Sequence, residues 1–134
     1  MRFHGQLRDI RQDDGRIRRV PRDDRPAHRK TQWVCVDDIG KIAAMAFNQP
    51  DKFIGKSYDI ASDEMTMPQA AEIFSKVLGK TIVYQQRQID ESDLENAKRA
   101  HFVNDHGYRA DVSMWRRLVP DLTSLESFVR KNWI

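Results

Sequence analysis

Two adjacent carboxylates, Asp37 and Asp38, stand directly after an apolar run and directly before a helical pattern. Paired carboxylates can do acid–base work, one giving and one taking a proton. A helix start explains them more simply. A carboxylate there accepts hydrogen bonds from free N–H groups and favours the positive end of the dipole. Asp37 and Asp38 are therefore read as structural caps, a role also assigned to Thr66 and Thr123. Cys35 is the single cysteine. A Cys–His nucleophilic pair requires an exposed thiol, and its neighbours Trp33, Val34 and Val36 put Cys35 in a buried strand, as packing. His101 and His106 are five apart and would not share a helix face. With Asp105 and Asp111 they match no ligand pattern, so no metal is expected. No residue is assigned a catalytic or cofactor-binding role.

Two further groups are candidates for binding. Phe102, Tyr108 and Trp115 supply aromatic surface that can line a ligand pocket, although their near-helical spacing also fits a core. Arg16, Arg18, Arg19, Arg22, Arg25, Arg29 and Lys30 form an arginine-rich stretch, the composition of an anion- or nucleic-acid-binding arm. Aspartates alternate with these arginines, and Phe3 is the one aromatic of the segment available for base stacking. A solvated, mixed-charge loop is the simpler reading, and nucleic acid is not the favoured partner. A loop that cradles phosphates needs closely spaced glycines between a strand and a helix. The six glycines, at 5, 15, 40, 55, 79 and 107, are scattered. A dinucleotide fingerprint and a P-loop are both absent from this sequence.

The elements that must position these residues follow from periodicity. Gln32 to Val36 reads as a strand covered on both faces. Ile39, Ile42, Ala43, Ala46 and Phe47 then fall on one helical face. Pro50 stops that helix, since it disfavours helical geometry in the residue before it. Gly55 to Ala61 reads as a short strand, with Tyr58 and Ile60 on one side and Ser57 and Asp59 on the other. Thr66 and Gln69 make a capping box, with Pro68 in the first turn. Ala70, Ile73, Phe74, Val77 and Leu78 form the stripe of the helix 69–78, and Gly79 suits a left-handed cap. Thr81 to Gln85 is a third strand. The 32–85 alternation is βαβαβ, which predicts an α/β (α+β mixed) layered architecture followed by helices. A helix is expected over 90–100, a loop at 104–107, and a carboxy-terminal helix after a Thr123/Glu126 capping box.

Residues 1–30 carry ten Arg and Lys against five Asp, a net of +5, while residues 31–134 carry thirteen against fifteen, a net of −2. The basic excess is thus confined to an amino-terminal arm with a turn signal at Asp13-Asp-Gly15 and an edge strand or hairpin at 16–20. The remaining 31–134 reads as one domain, which buries roughly two-thirds of its unfolded surface at this size. No apolar run approaches the roughly 20 residues of a membrane span. The amino terminus lacks a signal-peptide apolar core, and a lone cysteine builds no disulfide framework. A reducing, cytoplasmic setting is expected.

The residues 32–85 carry a resemblance. Trp33-Val-Cys-Val-Asp-Asp-Ile-Gly-Lys-Ile-Ala-Ala-Met-Ala-Phe47 resembles the W-V-x-V-D-D-I-G segment in the carboxy-terminal half of NmrA-like proteins, which are atypical short-chain dehydrogenase/reductases. Phe53 to Ser62 resembles that family's following strand, and Glu64 to Gly79 with Thr81 to Tyr84 its next helix and strand. The likeness spans roughly residues 15–130. It implies an NAD(P)-binding Rossmann domain joined to a smaller substrate or partner lobe, with NADP or NAD bound by a full-length member. The family's glycine-rich loop has no counterpart here. Nor has its Tyr-x-x-x-Lys pair, because Ser62, Gln88 and Val112 stand four residues after Tyr58, Tyr84 and Tyr108.

The resemblance therefore implies the carboxy-terminal part alone, in the context of a redox-sensing regulator or a reductase of quinone-like or phenolic substrates, without hydride transfer by itself. A reductase fragment active with an amino-terminal Rossmann half in trans is the second reading, and a nucleic-acid module through residues 16–30 the third. A sheet edge and helix faces lacking their usual cover would pair with another chain, so a homo-oligomer, the missing Rossmann half or another protein partner is expected.

Overall fold

The computed structural model describes residues 25–133 and the backbone of 18–19. The turn at Asp13-Asp-Gly15 and residues Arg16 and Arg22 lie outside the described residues.

The chain order is β1 (Arg18–Arg19), β2 (Lys30–Trp33), α1 (Val36–Asn48), α2 (Pro50–Phe53), β3 (Asp63–Thr66), α3 (Met67–Leu78), β4 (Ile82–Val83), α4 (Leu94–His106), α5 (Val112–Leu118) and α6 (Leu125–Trp133). The architecture is mixed α/β, with two short ladders in place of one parallel sheet. β2 and β3 pair antiparallel, Lys30 opposite Thr66 and Trp33 opposite Asp63. β1 and β4 pair parallel, Arg18 opposite Ile82 and Arg19 opposite Val83. A division at residue 30 would cut through β2, and the hydroxyl of Tyr84 donates to the carbonyl of Arg25.

Three of the expected elements are displaced. The first strand lies two residues earlier than 32–36, because the helix already begins at Val36 and takes both carboxylates into its first turn. The segment 57–61 is not a strand. Its Tyr58 and Ile60 alternate as a strand would, but they face α2 and α5. The ring of Tyr58 packs edge-on to Phe53 and Trp115, with centroids 5.7 Å away in each case, and Ile60 joins the same cluster. The strand follows instead at Asp63, where Asp63 and Met65 turn inward and Glu64 outward. The helix expected over 90–100 runs from Leu94 to His106, through most of the expected loop, and Gly107 ends it at φ 69°. Asp93 caps it by accepting from the Asn96 N–H.

The larger core lies between the β2/β3 ladder and the packed pair α3 and α6. Phe74, Ala70 and Met67 from α3 meet Leu125, Phe128 and Val129 from α6, over Trp33 and Met65. Side chains of this size each contribute about 1.5–3 kcal/mol on burial. α3 is punctuated at both ends: Thr66 and Gln69 form the reciprocal capping box, and Gly79 takes the left-handed cap at φ 62°. A second, smaller core joins α1 and α5 through Ile42, Trp115 and Val119. α1 commits little apolar surface to it. Of its expected stripe Ile42 is buried, Ile39 and Ala46 are half-buried, Ala43 is exposed and Phe47 is 85% exposed.

Glu126 ties α3 to α6, accepting from Lys76 Nζ at 3.2 Å and from Arg130 Nη2 at 2.8 Å. Arg130 and then Lys76 hold its carboxyl below the ordinary value of 4.5. A depressed folded pKa contributes stability that is present above the unfolded value and lost as pH falls through the folded one. Urea unfolding of the native chain and of Glu126→Gln should therefore differ at pH 7, with the gap closing below pH 4.5. An equal gap at pH 3, well under the ordinary carboxylate range of about 4, would contradict this role.

Candidate functional site

Asp37 and Asp38 part company in the folded chain. Residue Cys35 holds the N-cap position of α1 and no side chain caps it. Asp37 is exposed, whereas Asp38 is fully buried. Neither is a cap, because both lie past the N-cap, where a carboxylate feels the dipole without reaching the free N–H groups in the capping geometry. Asp38 points across the fold. Its Oδ2 accepts from the Ser62 hydroxyl at 2.7 Å and from the Thr123 N–H at 2.8 Å, and its Oδ1 from the Thr123 hydroxyl at 3.1 Å. Lys41 Nζ lies 3.3 Å from Oδ1 and 3.0 Å from Asp121. Asp121 first and Asp38 after it hold the Lys41 ammonium above its ordinary value.

A second buried carboxylate works alongside. Asp63 Oδ2 accepts the Leu125 N–H at 2.8 Å, so the first turn of α6 is capped from β3. Asp63 Oδ1 takes Arg116 Nη2 at 2.8 Å. Thr123 is thus not the cap of α6. Its donors are spent on Asp38, and Ser124, one residue on, accepts the Ser127 N–H at 3.1 Å. Helix starts leave four N–H groups without intrahelical partners, and here the strand and helix at the opposite side of the core supply the acceptors. Asp38, with no exposed surface and its oxygens accepting from Ser62 and Thr123, ties α1 to the segments before β3 and α6.

The aromatic trio separates as well. Phe102 and Tyr108 line an open cleft of about 350 Å³ between α4, the end of β2 and the segment 59–60. Trp115 is 1% exposed in the second core, where its Nε1 donates to the Asp59 carbonyl at 2.8 Å. It faces away from the cleft because helix α5 turns it toward Ile42. The cleft gains residues that spacing alone did not indicate. Gln32 is buried at its floor, its amide clamping Ala110 by a pair of bonds of 2.7 and 3.0 Å and reaching Glu64 at 2.8 Å. His106 stacks on Phe102, centroids 4.3 Å apart and planes at 19°. A wider depression of about 550 Å³ runs beside Gln86 to Ile89, and none of the described residues that line it is buried.

Among the described residues, the candidate anion-binding side chains Arg25, Arg29 and Lys30 each meet a different partner. Of Arg18 and Arg19 the backbone is described, in β1. Arg25 is 5% exposed and lies over Trp33, 5.8 Å from the ring centroid. Arg29 donates to the Asp105 carbonyl at 3.4 Å, and Lys30 pairs with Glu64 at 3.7 Å. His101 is bound to Glu91 at 2.7 Å, His106 to the Phe102 carbonyl, and Asp111 caps α5 by accepting from Met114 N–H. Among the described residues no group of three His, Cys, Asp or Glu could hold a metal. No helix among them is long and apolar enough to cross a membrane.

The model of the NmrA-like family matches residues 3–118. The chain belongs to the NmrA-like family. An NmrA-like family domain-containing protein of Dictyostelium discoideum is 32% identical over 118 residues, covering 75% of this chain and 39% of that protein. Among solved structures, the negative transcriptional regulator NmrA in complex with NAD superposes with a TM-score of 0.67 at 15% identity, over 84% of this chain and 42% of that one. A nucleoside-diphosphate-sugar epimerase from Staphylococcus aureus gives 0.62 at 20% identity, over 81% and 42%. At these identities the two structures speak for the fold. The chain spans about two-fifths of the length of each of these NmrA-like and epimerase relatives.

Replacing Asp38 by Ala strands the Ser62 hydroxyl and both Thr123 donors and opens a buried void. A loss of about 3–5 kcal/mol is expected, the cost of breaking a buried hydrogen-bonded charge, against about 0.5 kcal/mol for the exposed Asp37→Ala. Chemical denaturation of both variants checks this, and equal losses would return the two residues to equivalent roles.

Proposed function

We propose that this chain is the substrate- or partner-binding carboxy-terminal lobe of an NmrA-like protein, acting in the setting of a redox-sensing regulator or an NAD(P)H-dependent reductase. It binds no NADP or NAD alone and transfers no hydride alone. One observation carries the reading: 84% of the chain superposes on only 42% of a solved relative that holds NAD. Within that portion the sequence offers no closely spaced glycines for a pyrophosphate, and no Tyr-x-x-x-Lys pair.

The surface of α1 agrees. Val36, Gly40, Ala43 and Phe47 recur at helical spacing along its exposed side, and Phe47 and Ile54 are 85% and 77% exposed. Apolar side chains grouped in this way favour an interaction surface. The occupant proposed here is a dinucleotide-binding half, which the length of the relatives leaves room for. A second copy of this chain is the competing occupant. A packed core thiol at Cys35 suits a reducing, cytoplasmic setting.

Calorimetric titration of NADPH and NADH into the isolated chain should give no saturable binding at micromolar concentration, and micromolar affinity would overturn the proposal. Adding a separately produced glycine-rich half of a family member should restore cofactor binding and form a complex that Phe47→Glu weakens. A compact monomer that ignores that half at high micromolar concentration would equally refute it.

A further inference from the structure

Among the described residues, Gly55, Gly79 and Gly107 take positive φ, where glycine is the residue that fits without strain. Gly40 does not. It stands inside α1, where glycine weakens a helix relative to alanine. A Cβ at this position would meet nothing within 4 Å, so no contact among the described residues requires its absence. The other use of glycine is to let a second backbone come close. The rest of the face fits that use. Ala43 and Ala44 are exposed on the following turn, and Val36 and Phe47 bound the face, 41% and 85% exposed. Between Asp37 and Asn48 no exposed position of α1 is charged. Lys41, the neighbour of Gly40, turns to Asp38 and Asp121 at 3.3 and 3.0 Å.

We propose that a helix of the dinucleotide-binding half crosses α1 directly over Gly40, seated between Val36 and Phe47. The inference rests on reading the chain as one lobe of a longer NmrA-like protein. Val36 and Phe47 are about 16 Å apart along the axis, at about 1.5 Å per residue, and a helix with its side chains is about 10–12 Å across. One helix fits the interval. With no side chain at Gly40, the two axes approach to about 8 Å, the near limit for packed helices. The chain matches 39% of one relative and 42% of another, so the larger part of each lies outside this lobe. A doubly wound half carries helices on both faces of its sheet, and a helix is therefore the element it offers.

The test pairs the stability of the full chain with its affinity for a separately produced glycine-rich half of a family member. Gly40→Ala should raise the thermal midpoint of the chain alone, yet weaken the complex about tenfold by crowding the crossing point. Gly40→Leu has open space in the chain alone, so it should keep the fold and abolish the complex. Calorimetric scans and titrations read both effects, and their opposite signs are the signature of close helix contact. A complex as tight with Gly40→Ala as with the native chain overturns the crossing and leaves the two-lobe reading standing. Lower stability of Gly40→Ala alone overturns it too, by putting the need for glycine inside the chain. Self-association that Gly40→Leu abolishes and the half does not displace assigns the face to a second copy instead. Absence of any complex with the native chain removes both this inference and the reading beneath it.

Discussion

The fold depends on where one helix begins. α6 supplies three of the largest buried side chains of the main core, yet its first donors have no partners within the helix. Asp63 of β3 receives the Leu125 N–H, and Asp38 of α1 receives the N–H of Thr123 just ahead of the helix. Asp38 also holds Ser62, the residue that leads into β3. One carboxylate therefore fixes three segments that are distant in sequence: the start of α1, the entry to β3 and the approach to α6. Buried charge of this kind is costly in isolation and is retained when each lone pair finds a donor. Here nearly all of them do.

That knot explains what was and was not legible in the amino-acid sequence. The βα junction at 32–47, the helix at 69–78 with its capping box and glycine stop, and the face of the last helix all carry their signals locally, in spacing and in cap residues. The purpose of Asp38 does not. An aspartate in the first turn of a helix looks the same whether it meets solvent, as Asp37 does, or the far side of the core. The segment 57–61 shows the converse failure. Tyr58 and Ile60 alternate with the period of a strand, but the surface they bury belongs to α2 and α5 rather than to a sheet. Periodicity reports that a side is covered, and not by what.

The cleft was partly readable. Phe102 and Tyr108 stood out as aromatics in a polar segment, while Trp115 shared their spacing and went to a core. His106 matches no metal-ligand pattern, and the signal for its stacking on Phe102 is their four-residue separation, the spacing of neighbours on a helix face. Gln32 had no signal at all, since its partner Ala110 is 78 residues away. Among the described residues, the exposed side of α1 presents apolar side chains and the cleft beside α4 aromatic and charged ones.

The central structural claim is that buried carboxylates anchor the start of α6 to α1 and β3. Native-state hydrogen exchange at the Thr123 and Leu125 amides tests it residue by residue, because exchange there requires the bonds to Asp38 and Asp63 to open. The account predicts protection comparable to that of the Phe74 amide in the core of α3, since both should open only on global unfolding. Exchange as fast as at the exposed Gln86 and Arg87 amides would contradict it.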